Sequence, residues 1–127
     1  MSVQEFQPQI LTDCDKQRTY QKVALEVIFG FHNQYNRKIG LKDIDARFKE
    51  RVRILEADGQ WPYESWRFID KRTIDRRVNE LASENPLENL FLEHGRVPKI
   101  VRVDQDKTDA YYRPNPMLYE DVLEAQR

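Results

Sequence analysis

The chain has 127 residues, a formal net charge of −1 and a single cysteine, Cys14. This length accommodates one domain around one core. The lone cysteine leaves no disulfide framework and no cysteine-based zinc site, and the near-zero charge argues against a protein that coats nucleic acid indiscriminately. No stretch approaches the roughly 18 apolar residues of a membrane span, and the first residues lack the basic start and apolar centre of a signal peptide, so a cytoplasmic protein with no membrane partner is expected.

Residues 1–15 show little periodicity and read as an N-terminal arm ahead of a domain over 16–114. Asp13 or Asp15 is suited to cap a first helix of about 20 residues, in which Tyr20, Val23, Ala24, Val27, Ile28, Phe31 and Tyr35 recur at helical spacing. Leu25 and Phe29 widen that stripe, which predicts a central helix packed on two sides, the alternative being that part of it faces another subunit. Gly40 precedes a second helix carrying Ile44, Phe48, Val52 and Leu55, and Asp58-Gly59 ends it. A loop over 58–65 contains Trp61-Pro62-Tyr63. Trp66, Phe68 and Ile69 are expected to fasten it to the core.

Asp70 is an N-cap for a third helix, in which Ile74, Val78 and Leu81 fall within about 60° of one another and form a core-facing stripe. Arg72, Arg76, Asn79 and Ser83 lie opposite. Arg72 and Arg76 are four residues apart and repel by roughly 0.2 to 0.5 kcal/mol, which an external anion relieves. Arginine reads guanine bidentately and asparagine reads adenine, so this face suits a major groove. A solvated face is the alternative, with Glu80 placed four residues beyond Arg76 to pair with it.

Asn85-Pro86-Leu87-Glu88 carries the signature of a short helix over 86–93, closed by Gly95. Lys99 to Val103 alternates as a strand, residues 104–109 form a polar turn, and residues 110–113 pair back before Pro114. Residues 117–125 are expected to form a last amphipathic helix within a C-terminal tail over 115–127.

The charges are unevenly spread. Residues 37–53, 65–80 and 95–103 together hold 15 of the 21 Lys and Arg but only 6 of the 22 Asp and Glu. A basic face on an acidic body is what site-specific DNA binding with weak bulk affinity requires.

Helix, helix, basic helix and β-hairpin in this order resemble the winged helix-turn-helix family. The local likeness is strongest at Ile69-Asp70-Lys71-Arg72-Thr73-Ile74-Asp75-Arg76-Arg77-Val78-Asn79-Glu80-Leu81, which is similar to the family's recognition helix, and residues 41–48 resemble its supporting helix. The long loop before Trp66 and the inserted segment over 86–95 depart from the pattern. The resemblance implies a mainly α fold with a small β-hairpin and a sequence-specific double-stranded DNA-binding protein: a transcriptional regulator such as a repressor, or a plasmid or viral control protein. It places Lys71, Arg72, Thr73, Arg76 and Asn79 in or beside the major groove and Arg77 nearer a phosphate. It places Lys99, Arg102, Lys107 and Arg113 of the hairpin near the backbone or minor groove, although strand alternation denies all four the same side. Lys38, Lys42 and Arg47 are expected backbone contacts. A homodimer held by the first helix, residues 117–125 or both doubles the site read.

A winged helix used for protein contact is the competing reading, with Trp61-Pro62-Tyr63 and the Leu87-Leu90-Phe91-Leu92 run as its surface, unless these cover the core. An enzyme is not expected. His32 and His94 have no metal-ligand spacing to carboxylates, with His94 read as lying beside a helix C-terminus. Asp104, Asp106 and Asp109 match neither a calcium loop nor a nuclease core, and no glycine-rich phosphate loop exists, so no metal or cofactor is expected.

Overall fold

A reciprocal pair of bonds starts the first helix. Thr12 Oγ1 accepts from the Asp15 amide at 3.1 Å, and the Asp15 carboxylate accepts from the Thr12 amide at 3.0 Å. This capping box makes Thr12 the N-cap of α1 (Asp13–Tyr35). Asp13 and Asp15, the expected caps, instead occupy its first turn, where acidic side chains oppose the positive end of the helix dipole.

The computed structural model describes residues 12–104 and 110–118. After α1 come β1 (Ile39–Gly40), α2 (Leu41–Ala57), a 3-10 turn at Trp66–Phe68, α3 (Lys71–Leu81), β2 (Ile100–Asp104) and β3 (Ala110–Pro114). The protein is therefore mainly helical with a small antiparallel sheet of three strands in the order β1-β3-β2. Most of the arm expected over residues 1–15 lies outside the described residues, as does most of the helix expected over 117–125. Residues 13–15 belong to α1.

α1 is the central element. Tyr20, Val23, Ala24, Leu25, Val27, Ile28 and Phe31 are buried on it, and it packs against α2, α3 and β3. Ile44, Phe48 and Val52 of α2, Ile74, Val78 and Leu81 of α3, and Ile39, Ile100 and Tyr112 of the sheet complete the core. Each such aliphatic or Phe side chain removed from water contributes about 1.5–3 kcal/mol. The chain turns out of α1 at Asn36, whose left-handed backbone (φ 51°) returns its amide to the His32 carbonyl at 2.7 Å.

Four local expectations change. β1 arises from two residues, with Ile39 opposite Tyr112 and Gly40 opposite Tyr111. A Cβ on Gly40 would stand 3.2 Å from the Tyr111 ring, so a larger residue here would require that ring to shift by a few tenths of an ångström. Residues 86–93 do not form a helix. Asn85 Oδ1 accepts from the Leu87 amide, and the Asn89 amide group donates to the carbonyls of Leu81 and Ser83, so asparagine side chains hold the segment in turns against the end of α3. His94 consequently sits in a turn with φ 54°, beside no helix end. Phe68 is 78% exposed and anchors nothing, whereas Trp61 and Ile69 are buried and Trp66 packs against the core.

Candidate nucleic-acid interface

α3 is built as the sequence implies. Asp70 caps it by accepting from the Arg72 amide at 3.1 Å, and Ile74, Val78 and Leu81 are fully buried. Lys71, Arg72, Arg76 and Asn79 are exposed, and Thr73 is half-buried.

Glu80 determines which arginines remain available. Its two carboxylate oxygens accept from Arg77 Nη1 at 2.7 and 3.0 Å, with both side chains only 15% exposed. Gln17 and Gln21 of α1 donate to the same carboxylate at 3.3 Å. Arg77 is thus held to Glu80 within α3, and it is the Glu80 carboxylate that joins α3 to α1. Glu80 is not paired with Arg76. Among the described residues Arg72 and Arg76 form no salt bridge.

Arg76 and Asn79 border a groove whose other side carries Arg102 of β2, with Ser83 and Glu88 at its end. The Tyr112 hydroxyl lies 3.5 Å from Asn79 Oδ1, which orients the amide from the sheet side. On the flank toward α1, Thr73 and Arg76 adjoin Lys16 and Glu64. Lys16 Nζ is 3.0 Å from Glu64, whose carboxylate also accepts from the Tyr20 hydroxyl. Partial burial opposes ionisation of Glu64, but the Tyr20 hydroxyl, its own backbone amide and Lys16 together outweigh it and hold the carboxyl below its ordinary value.

Strand pairing divides the hairpin cations between two faces. Val101 pairs with Arg113, Arg102 with Tyr112 and Val103 with Tyr111. Arg102 therefore shares the face of buried Ile100 and Tyr112, beside α3. Lys99 and Arg113 share the opposite face with Val101, Val103 and Tyr111. Lys99 Nζ lies 3.7 Å from Glu93. Lys107 lies outside the described residues.

The cations of the second helix region also separate. Lys42 is exposed in the first turn of α2. Arg47 turns toward α1, with its guanidinium 4.9 Å from the Phe31 ring centre, and Lys38 lies 5.4 Å from that of Tyr111. Arg37, which the sequence reading passed over, sits 5.4 Å from the Phe31 ring. Its sequence signals are its adjacency to Lys38 and its place at the start of the basic stretch over 37–53.

The aromatic loop is part of the core. The Tyr20 ring lies tilted 5.3 Å from that of Trp61, which meets Tyr63 edge to face at 5.3 Å, and Trp61 Nε1 donates to the Glu64 carbonyl at 2.7 Å. Of the Leu87-Leu90-Phe91-Leu92 run only Leu87, at 85%, is strongly exposed. Among the described residues no three His, Cys, Asp or Glu side chains converge as a metal site would require, and no helix is long and apolar enough to cross a membrane. No protein-family model, curated protein or solved structure matches the chain.

Proposed function

We propose that the chain is a winged-helix protein that binds double-stranded DNA in a sequence-specific manner and acts as a transcriptional regulator or a plasmid or viral control protein. The observation that carries the proposal is the diversion of Glu80 to Arg77. It leaves Arg72 and Arg76 exposed without an acidic partner among the described residues, four residues apart on a helix whose opposite side is the core. Two guanidinium groups in that position repel, and a nucleic acid offers the anion and the base edges that relieve them. The order of elements, with a two-stranded hairpin following the basic helix, supports the same reading, and Arg102 beside α3 adds a cation to the flank of the groove.

In this reading Arg72, Arg76 and Asn79 meet base edges while Lys71, Thr73, Lys42 and Arg102 meet the backbone. A homodimer would present two such helices to a two-fold symmetric site. The test is a gel shift on fragments of the gene's own upstream DNA at two salt concentrations, using the parent and Arg76→Ala. Salt-sensitive binding by the parent, with a loss of roughly 1–3 kcal/mol and weaker discrimination in the variant, is expected. A parent that binds no duplex at low salt sinks the proposal. Burial of Trp61 and the packing of Tyr63 on the core leave the protein-contact alternative with less surface than the sequence offered it.

A further inference from the structure

Four cations gather where α1 ends, away from α3. Arg37 and Arg47 lie over the same two rings: Arg37 is 5.4 Å from Phe31 and 5.5 Å from Tyr35, and Arg47 is 4.9 and 5.7 Å from them. Lys38 stands over Tyr111. Arg113 borders the same corner as Arg37 and Lys38, and its Nε is buried with no hydrogen-bond partner. Asp43 borders the region on the side of Arg37 and Lys38, and Glu26 and Glu50 border it beside Arg47, yet among the described residues none of the four cations forms a salt bridge.

Two like charges sharing one pair of rings repel unless an anion joins them. The end of α1 supplies only about half a negative charge, too little to balance four cations. α1 itself measures the separation from α3. Gln17 touches Glu80 of α3 near one end, while Phe31 and Tyr35 lie roughly 21 and 27 Å further along the axis at 1.5 Å per residue.

We propose that this corner is a second polyanion site, which takes the phosphodiester backbone of DNA without reading its sequence. The proposal rests on the DNA-binding reading of α3 and adds a surface to it. Guanidinium groups clasp phosphate oxygens in pairs, and several cations at separate positions suit a chain of singly charged phosphates. The cations already lie over the Phe31, Tyr35 and Tyr111 rings, so base stacking, and the preferences that accompany it, are disfavoured.

The test compares the parent, R37Q/R47Q, K38Q and R76A on one duplex containing the preferred site and one lacking it. R37Q/R47Q should lower the slope of log affinity against log salt by about two on both duplexes, and K38Q by about one, with the preference between duplexes unchanged. R76A should reduce the preference. Melting temperatures equal to the parent's establish that the variants are folded. Unchanged slopes in both R37Q/R47Q and K38Q, with parent binding intact, overturn the second site and leave the α3 reading standing. If R76A matches the parent while R37Q/R47Q weakens binding, the α3 reading fails and the corner alone holds DNA. A parent that binds neither duplex overturns both.

Discussion

Asp45 of α2 lies near enough to Asp75 of α3 to oppose its ionisation, and each of the two has an Oδ1 that is buried without a hydrogen-bond partner. Partial burial, then Asp45 and Asp70, push the Asp75 carboxyl above its ordinary value against the pull of Lys71. Lys49 Nζ, 3.6 Å from Asp45 Oδ2, supports only the other member of the pair.

A carboxyl raised in the folded state favours folding when protonated and opposes it when ionised. Asp75→Asn is therefore expected to melt higher than the parent at neutral pH. The advantage should shrink as pH falls through the raised folded-state value toward the usual aspartate range, because the parent's own Asp75 is then neutral. Thermal melts of both proteins across a pH series check this. An advantage that stays constant with pH would remove Asp75 ionisation as its cause.

Tyr20 gives a dependence of the same sign at the alkaline end. Burial, then the bond to Glu64, raise the phenol well above the ordinary tyrosine value, so the folded state keeps a proton that the unfolded chain releases near pH 10. Stability should fall as pH rises through that value, and Tyr20→Phe should flatten the decline. At neutral pH the same substitution is expected to cost roughly 1–2 kcal/mol through the lost hydrogen bond to a carboxylate. Denaturant titrations at neutral and alkaline pH separate the two effects.

Adjacent arginines should behave differently. Arg77→Ala leaves the half-hidden Glu80 carboxylate without its cation and is expected to destabilise the fold by roughly 1–3 kcal/mol. Arg76→Ala should leave stability within about 0.5 kcal/mol of the parent and lower DNA binding. Urea unfolding and duplex titration of both variants test the assignment. Equal stability losses would show that Arg76 shares the structural role.

Gly30 lies inside α1 on an exposed face, and a Cβ there would meet no atom within 4 Å. Gly30→Ala should raise stability by about 0.5–1 kcal/mol through the reduced freedom of the unfolded chain. A loss measured by denaturant unfolding would place an unseen neighbour against this face.

The parts legible in the sequence are those fixed by local periodicity. Ile74, Val78 and Leu81 recur at helical spacing behind a capping Asp70, and no distant contact was needed to identify that stripe. β1 was not legible, because two residues carry no period and Ile39-Gly40 becomes a strand only when Tyr111 and Tyr112 arrive from β3. Residues 86–93 satisfied a capping pattern, but Asn89 found the open carbonyls of Leu81 and Ser83, a tertiary competitor that a local signal does not register. The choice of Glu80 between Arg76 and Arg77 was likewise made by Gln17 and Gln21 of another helix. The cations of 37–53 and 95–103 read as one basic face by composition, while strand register and the length of α1 distribute them over different sides.

The brevity of β1 has a consequence for how copies of this chain meet. β1 covers only two of the five residues of β3, and β3 ends in Pro114, which has no amide hydrogen to donate. At the opposite margin of the sheet, β2 carries the charge of Arg102. A neighbouring strand seeking to extend the sheet therefore meets a short ladder on one margin and a charged side chain on the other, which discourages aggregation by edge-to-edge pairing at high concentration.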